Sequence, residues 1–430
     1  MSRSIQDRLF YSLNSRVFYG WVIVAIGSLG IFTSGPGQSH TFSVFVTPIS
    51  QDLGISSATM ATAYGLATLA ASLLLPRMGK IIDRYGPKKI LGIIVILLGF
   101  ACLFFGAAAN FLMLAIGFGF LRFFGQGSLM LGCANLVSHW FNRKRGFAMS
   151  LMALGFGFSM AVHPPLSQYL IEQFGWRVAW FVLGGLTWIT MLPPLILLVK
   201  DNPGEVQLEA DGNRENDLKI NQDQGQASIS GLTLSEALQE RTFYVLSFGW
   251  FGMAMLITTL HFYQVTILSS QGMSINFSAQ MFTISAVSMV FFMPIVGKMF
   301  DRYRTRYIIA LGMMVTALSL ITITFSTTEK ASILYAVIFG INNAISMTMF
   351  GYIWPRYFGR RHAGSIQGVG QMVGVFGASF GPLPVGLAID LIGNPISTIR
   401  WLALYPIIAG VLSIIFLQAP KSLKEDSHLE

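Results

Sequence analysis

One arginine and three histidines stand inside long apolar stretches of this sequence: Arg122, His40, His163 and His261. An arginine deep in an apolar run costs at least ~2.5 kcal/mol on insertion scales, so it must face an interior and find partners. Its planar fork of donors matches a carboxylate, which makes Arg122 a candidate anion clamp. The competing role is structural, with Arg122 donating to backbone carbonyls around Gly35-Pro36-Gly37. Gln38 and His40 follow that stretch, where a proline and two glycines weaken a helix and open its backbone to a cavity. A histidine titrates near pH ~6.5, so His40 can link proton binding to solute binding. Its other reading is a neutral ring satisfied by Ser39 or Thr41. His163 directly precedes Pro164-Pro165, and bonding to a carbonyl freed by those prolines competes with solute contact. His261, near Gln264, is open between lining a cavity and packing.

Neutral amides complete the set: Asn342 and Asn343 in one run, Gln367 and Gln371 in the next. They can bind a polar solute without burying a charge, or join helices through hydrogen bonds worth about 1 kcal/mol. The candidate solute contacts are therefore Gln38, His40, Arg122, His163, His261, Asn342 and Gln371. None of the nineteen acidic residues lies mid-run; Glu172, Asp390, Asp83 and Asp301 come nearest. A carboxylate there would bind a cation and take up a proton, so its absence argues against export of cationic drugs. Cys102 and Cys133 lie in apolar runs and read as small buried residues. With no Walker A motif, paired Cys/His ligands or nucleophile elbow, neither cofactor, metal nor enzymatic catalysis is expected.

The elements that must hold these side chains are membrane spans. Mean hydropathy is +0.61, and charged residues are 11%, against roughly 25% in soluble domains. The apolar runs reach the ~20 residues a helix needs to cross hydrocarbon. About twelve are present. Six begin near Phe18, Ser57, Lys89, Phe111, Gly146 and Trp176. Six more begin near Phe243, Phe277, Tyr307, Ala331, Ala363 and Thr398. The expected organisation is an all-α membrane protein of two six-helix pseudo-symmetric bundles, 18–199 and 243–418. Polar tails at 1–17 and 419–430 flank them. The intervening 200–242 reads as a flexible linker ending in a short amphipathic helix, opened by the capping box Thr233-x-x-Glu236.

The bundles are copies of one another. Gly297, Asp301 and Pro294 each follow Gly79, Asp83 and Pro76 by 218 residues, and Pro382 follows Pro164 at the same interval. Duplication on this scale in an apolar chain is how secondary transporters are built. The repeated loops carry Gly79, Asp83, Arg84 and Gly86, and then Gly297, Asp301 and Arg302. A carboxylate at such a helix end can pair with arginine and face a neighbouring helix N-terminus, so these residues form a candidate cytoplasmic gate. Lysines and arginines crowd the N-terminus and alternate loops, whereas the opposite loops hold Arg177, Lys330 and Arg400. That bias places both termini and the linker on the cytoplasmic side of a cell membrane. It also accounts for the net charge of +9 without nucleic-acid binding. No cleavable signal peptide is evident in the first 17 residues.

On these residues the chain resembles the major facilitator superfamily over essentially its whole length. The G-x-x-x-D-R-x-G-x-K loop (Gly79, Asp83, Arg84, Gly86, Lys88) carries the resemblance, with its degenerate copy and Arg122-x-x-Gly125-x-Gly127. A narrower likeness is to the monocarboxylate transporter and oxalate–formate antiporter branch. It rests on Tyr19-Gly20-Trp21-Val22, Phe42-Ser43-Val44-Phe45 and Trp140-Phe141-x-Arg143-Lys144-Arg145-Gly146. That branch carries a lysine where this chain has His40, and a charged pair where it has Met289 and Met293 before Pro294. The resemblance implies a monomeric carrier that moves a small organic anion by alternating access, with protons as candidate partners. A carrier of a neutral or amphipathic metabolite or drug is the alternative, with the Met289 and Met293 region lining an apolar cavity.

Overall fold

A computed structural model describes residue 14 and residues 18–141, 144–209, 231–359 and 363–418. The tails, apart from residue 14, and residues 210–230 of the expected linker lie outside the described residues. Ten helices are long and apolar enough to cross a membrane, and Gly20–Thr33 is a shorter apolar one. The longest, Arg145–Leu198, is two helices joined at Gly175 (φ 80°, ψ 163°), a conformation open to glycine but strained for other residues. Counted this way the described residues hold twelve spans, in agreement with the apolar runs.

The first span is interrupted. Gly20–Thr33 gives way to a 3-10 turn at Gly35–Gly37, then short helices at Ser39–Phe42 and Val46–Leu53. Proline in the turn cannot donate, so hydroxyls serve the disturbed backbone. Ser34 Oγ donates to Ile31 O at 2.6 Å and Thr41 Oγ1 to Gly35 O at 2.6 Å. The seventh span, Arg241–Ser270, occupies the corresponding place in the second repeat and runs unbroken through Met253-Ala254-Met255.

By compactness the chain forms two units, one of 1–41 with 70–225 and the other of 42–69 with 226–430. Thus residues 42–69, from the first repeat, pack within the second unit. Asp390 binds them there, accepting from Ser57 N at 3.0 Å and Ala58 N at 2.7 Å. Its carboxylate caps the helix Ser57–Tyr85, whose first N–H groups have no intrahelical partner. Tyr263 donates to Ser57 O at 3.1 Å, and the rings of Phe42, Tyr64 and Phe262 cluster alongside. In the same unit Thr233 and Glu236 form the expected capping box, opening the short helix Leu234–Ala237.

At the first duplicated loop, Gly86 takes a left-handed conformation (φ 84°) before the helix Pro87–Gly106. Asp201 Oδ1 accepts from Lys88 N at 2.6 Å, and a Cβ on Gly86 would approach Asp201 Oδ2 to 2.9 Å. Glycine is thus needed at position 86 both for its backbone angle and for the room it leaves the capping carboxylate. Arg84 lies 5.3 Å over the Tyr85 ring, and Arg302 lies 6.0 Å over that of Tyr303. The side chains of Asp83 and Asp301, expected in the gate, fall outside the described residues. Gly79 and Gly297 lie inside long helices, with Gly297 having open space where a Cβ would go.

Candidate functional site

The first unit gathers four of the expected contacts around the broken span. The fourth span widens at this level, passing from Phe111–Leu121 into a π-helical stretch, Arg122–Leu129, and then Met130–Trp140. Such single-turn widenings often mark functional sites. Gly37 and Gly125 let the two backbones touch: a Cβ on Gly37 would collide with Leu121 O and come within 2.8 Å of Gly125 Cα. Arg122 is 1% exposed and donates through Nη1 to Gly37 O at 2.8 Å. The arginine therefore holds a carbonyl in the irregular stretch, as the structural reading expected. A carbonyl is a dipole, so this bond orients the guanidinium without cancelling its charge.

Two histidines lie on the same break. His40 Nε2 is 3.1 Å from Ser159 Oγ, and Ser159 Oγ is 3.1 Å from His163 Nδ1. All three residues are buried. His163 Nδ1 also lies 3.1 Å from Ser159 O. That carbonyl is one turn back from His163, while Pro164 and Pro165 free those of the next residues along. The His163 ring covers Gly35, where a Cβ would collide with it, and packs 4.9 Å from the Phe32 ring. His40 meets Phe156 edge-on at 5.3 Å. Thr41 serves the Gly35 carbonyl, and the hydroxyl opposite His40 Nε2 comes instead from the fifth span. Gln38 donates to Ser34 Oγ at 2.9 Å and approaches Met130 Sδ at 3.3 Å.

The second unit arranges its polar groups differently. His261 is 5% exposed and packs against the rings of Phe339 and Phe282 at 4.9 and 6.2 Å. Gln264 accepts from the Tyr335 hydroxyl at 2.9 Å and donates to Ser278 O at 3.4 Å, tying three helices together. Asn342 accepts from Thr316 at 2.9 Å, and Asn343 donates to Phe339 O at 2.8 Å. Asn342 Nδ2 and Asn343 Oδ1 are buried with no hydrogen-bond partner among the described residues. Gln371 is exposed and Gln367 half-buried. An open apolar groove of about 370 Å³, lined by Thr283, Val287, Ser288 and Phe291 of the eighth span with Val337 of the tenth among others, lies on the outer face of these helices, where Val287 and Phe291 are exposed. Met289 is buried beside it in sequence.

Sequence reasoning missed two residues. Ser159 stands one helical turn before His163, a spacing that marks it as a neighbour, but nothing in the sequence ties it to His40. Asp201 was absorbed into the polar linker, although it caps a membrane helix.

The model of the Major Facilitator Superfamily matches residues 27–382. The chain belongs to this superfamily. Its curated relatives include a probable hexose phosphate transport protein of Chlamydia pneumoniae, 28% identical over 207 residues. That match covers 47% of this chain and 41% of the relative. Human monocarboxylate transporter 11 is 25% identical over 169 residues, 39% of this chain and 36% of the relative. The chain thus spans about two fifths of the length of these relatives. The superfamily fold is shared with a bacterial homologue of the human lysosomal transporter Spinster, solved inward-facing and occupied. The TM-score is 0.72 at 15% identity, covering 95% of this chain and 98% of that one. A nucleoside transporter gives a TM-score of 0.68 at 13% identity, covering 93% and 99%. These relatives are named as transporters, not enzymes.

Proposed function

We propose that this superfamily member is a secondary transporter that moves a small organic anion across a cell membrane by alternating access. The observation that carries the reading is Arg122, a guanidinium 1% exposed near the middle of the fourth span and fixed by the Gly37 carbonyl. A charge kept at that depth is expensive, and sites of this kind in membranes commonly serve a solute or ion path. Two of its relatives are named for anionic solutes, a hexose phosphate and a monocarboxylate. In this reading Arg122 neutralises the anion and His40 supplies the proton-linked second contact. Gln38, His163, His261, Asn342 and Gln371 are secondary contacts. The carrier works as a monomer with both termini cytoplasmic, and Asp83, Arg84, Asp301 and Arg302 belong to its cytoplasmic gate, as the lysine and arginine bias supports.

The test is flux of labelled small carboxylates into vesicles holding wild type or Arg122→Gln. Lost flux with normal membrane levels of the variant supports the anion role. Low membrane levels would return Arg122 to a purely structural one. A second reading, transport of a neutral or amphipathic solute, is favoured by the neutral amides Asn342 and Asn343, buried in the tenth span. Competition by uncharged analogues, with no effect of carboxylates, would select it.

A further inference from the structure

We propose that His40, Ser159 and His163 form one proton-binding site that holds a single shared proton. The inference deepens the proposed transport reading, and its coupling arm rests on that reading. A serine hydroxyl has one hydrogen to donate and lone pairs to accept with. Standing 3.1 Å from each imidazole, Ser159 Oγ can receive from one ring and donate to the other. The chain therefore has two polarities. With the proton added at His163, Nδ1–H donates to Ser159, and Ser159 donates to a neutral His40 Nε2. With the proton added at His40, Nε2–H donates to Ser159, and Ser159 donates to a neutral His163 Nδ1, which then gives up its bond to the Ser159 carbonyl. Moving the charge from ring to ring needs one proton to shift along each hydrogen bond, from one ring to the hydroxyl and from the hydroxyl to the other ring. No bond between heavy atoms changes. A second proton would put two cations on one buried hydroxyl, so it must bind more weakly than the first.

The surroundings make the shared proton responsive to an anion. The first span carries no charged residue from Phe18 to Phe42, and the fifth carries none from Gly146 to Ile171. In the fourth span Arg122 is the charged group at this level, and it holds Gly37, between Gly35 under the His163 ring and His40. An anion resting on Arg122 brings negative charge to that short loop, so anion and proton each favour the other's binding, as linkage requires.

The experiment is NMR titration of the purified full chain labelled with ¹⁵N-histidine, whose six histidines keep the spectrum tractable. In the wild type, the His40 and His163 resonances should move together, with the second proton bound at least about tenfold more weakly than the first. Ser159→Ala should separate the two curves, and His163→Gln should leave His40 titrating in one simple step. Gly35→Ala, which pushes the His163 ring from its seat, should act like Ser159→Ala. Curves for His40 that are identical in wild type, Ser159→Ala and Gly35→Ala would overturn the shared site. If His163→Gln does not fold, His40→Gln read at His163 gives the reciprocal result. Repeating the wild-type titration with acetate, then lactate, tests the coupling. Tighter proton binding that is lost in Arg122→Gln supports both readings. A shared titration that neither carboxylate moves keeps the proton site and removes the anion reading for these probes.

Discussion

The two repeats place different chemistry on the same scaffold. In the first, Gly35-Pro36-Gly37 breaks the opening span, the fourth span widens, and Arg122 bridges them. At the corresponding positions the second repeat has an unbroken helix and Gly340 in place of Arg122. There the glycine lets the eighth and tenth spans close: a Cβ would collide with Ser285 O, while Ser285 and Ser288 each donate at 2.8 Å to carbonyls of the tenth span. His40 corresponds to Thr258 and His163 to Gly381. The buried arginine and the paired histidines therefore collect in one copy, and close packing with neutral amides and a single buried histidine, His261, in the described part of the other. Once a duplicated fold supplies symmetry, one half is free to specialise while the other keeps the framework.

Six substitutions can break or sharpen that contrast. The largest effect is expected from Arg122→Gln, which removes a charged donor worth about 1.5–3 kcal/mol and should reduce carboxylate flux by about tenfold or more. Preserved flux would show that the specialised half does not do the work. Next, Gly37→Ala drives a methyl into backbone atoms of Leu121 and Gly125 that no rotamer change can relieve. A loss on the order of 1–3 kcal/mol in thermal unfolding should accompany lost flux. Gly340→Ala should show a similar stability loss with flux per folded molecule retained, so equal flux losses in both would dissolve the distinction.

Smaller effects separate the paired carboxylates. Asp390→Asn should lower stability by about 1 kcal/mol by weakening the cap on the Ser57 helix. Its repeat mate Glu172 is exposed and accepts from the Gln168 side chain at 3.0 Å. Glu172→Gln should stay within about 0.5 kcal/mol, measured by the same melts. A comparably small change is expected from Asn342→Leu, whose bond to Thr316 is worth about 0.6 kcal/mol in membrane helices. A marked loss of solute affinity in that variant would give the second repeat a direct role.

Most of the fold was legible because its signals are local or periodic. Apolar runs gave the twelve spans, the 218-residue interval gave the repeat, and Gly35-Pro36-Gly37 marked the break. The candidate site was legible only in part. Arg122 and the histidines stood out by polarity in apolar surroundings. The partners they chose depend on tertiary approach: Ser159 meets His40 across 119 residues of sequence. The π-helical turn is equally hidden, since Arg122-Phe123-Phe124-Gly125-Gln126-Gly127 reads as an ordinary helix with two glycines. Asp201 was obscured by the polar residues that follow it, although its carboxylate is committed to the third span.

The most direct test is a thermal-shift screen of the purified chain against small carboxylates, neutral metabolites and amphipathic compounds, with wild type and Arg122→Gln side by side. A ligand at 100-fold its dissociation constant adds about 2.7 kcal/mol, a readily measured shift. The account predicts stabilisation by one or more carboxylates that disappears in Arg122→Gln. Stabilisation confined to uncharged compounds, or a carboxylate shift that survives the substitution, would contradict it.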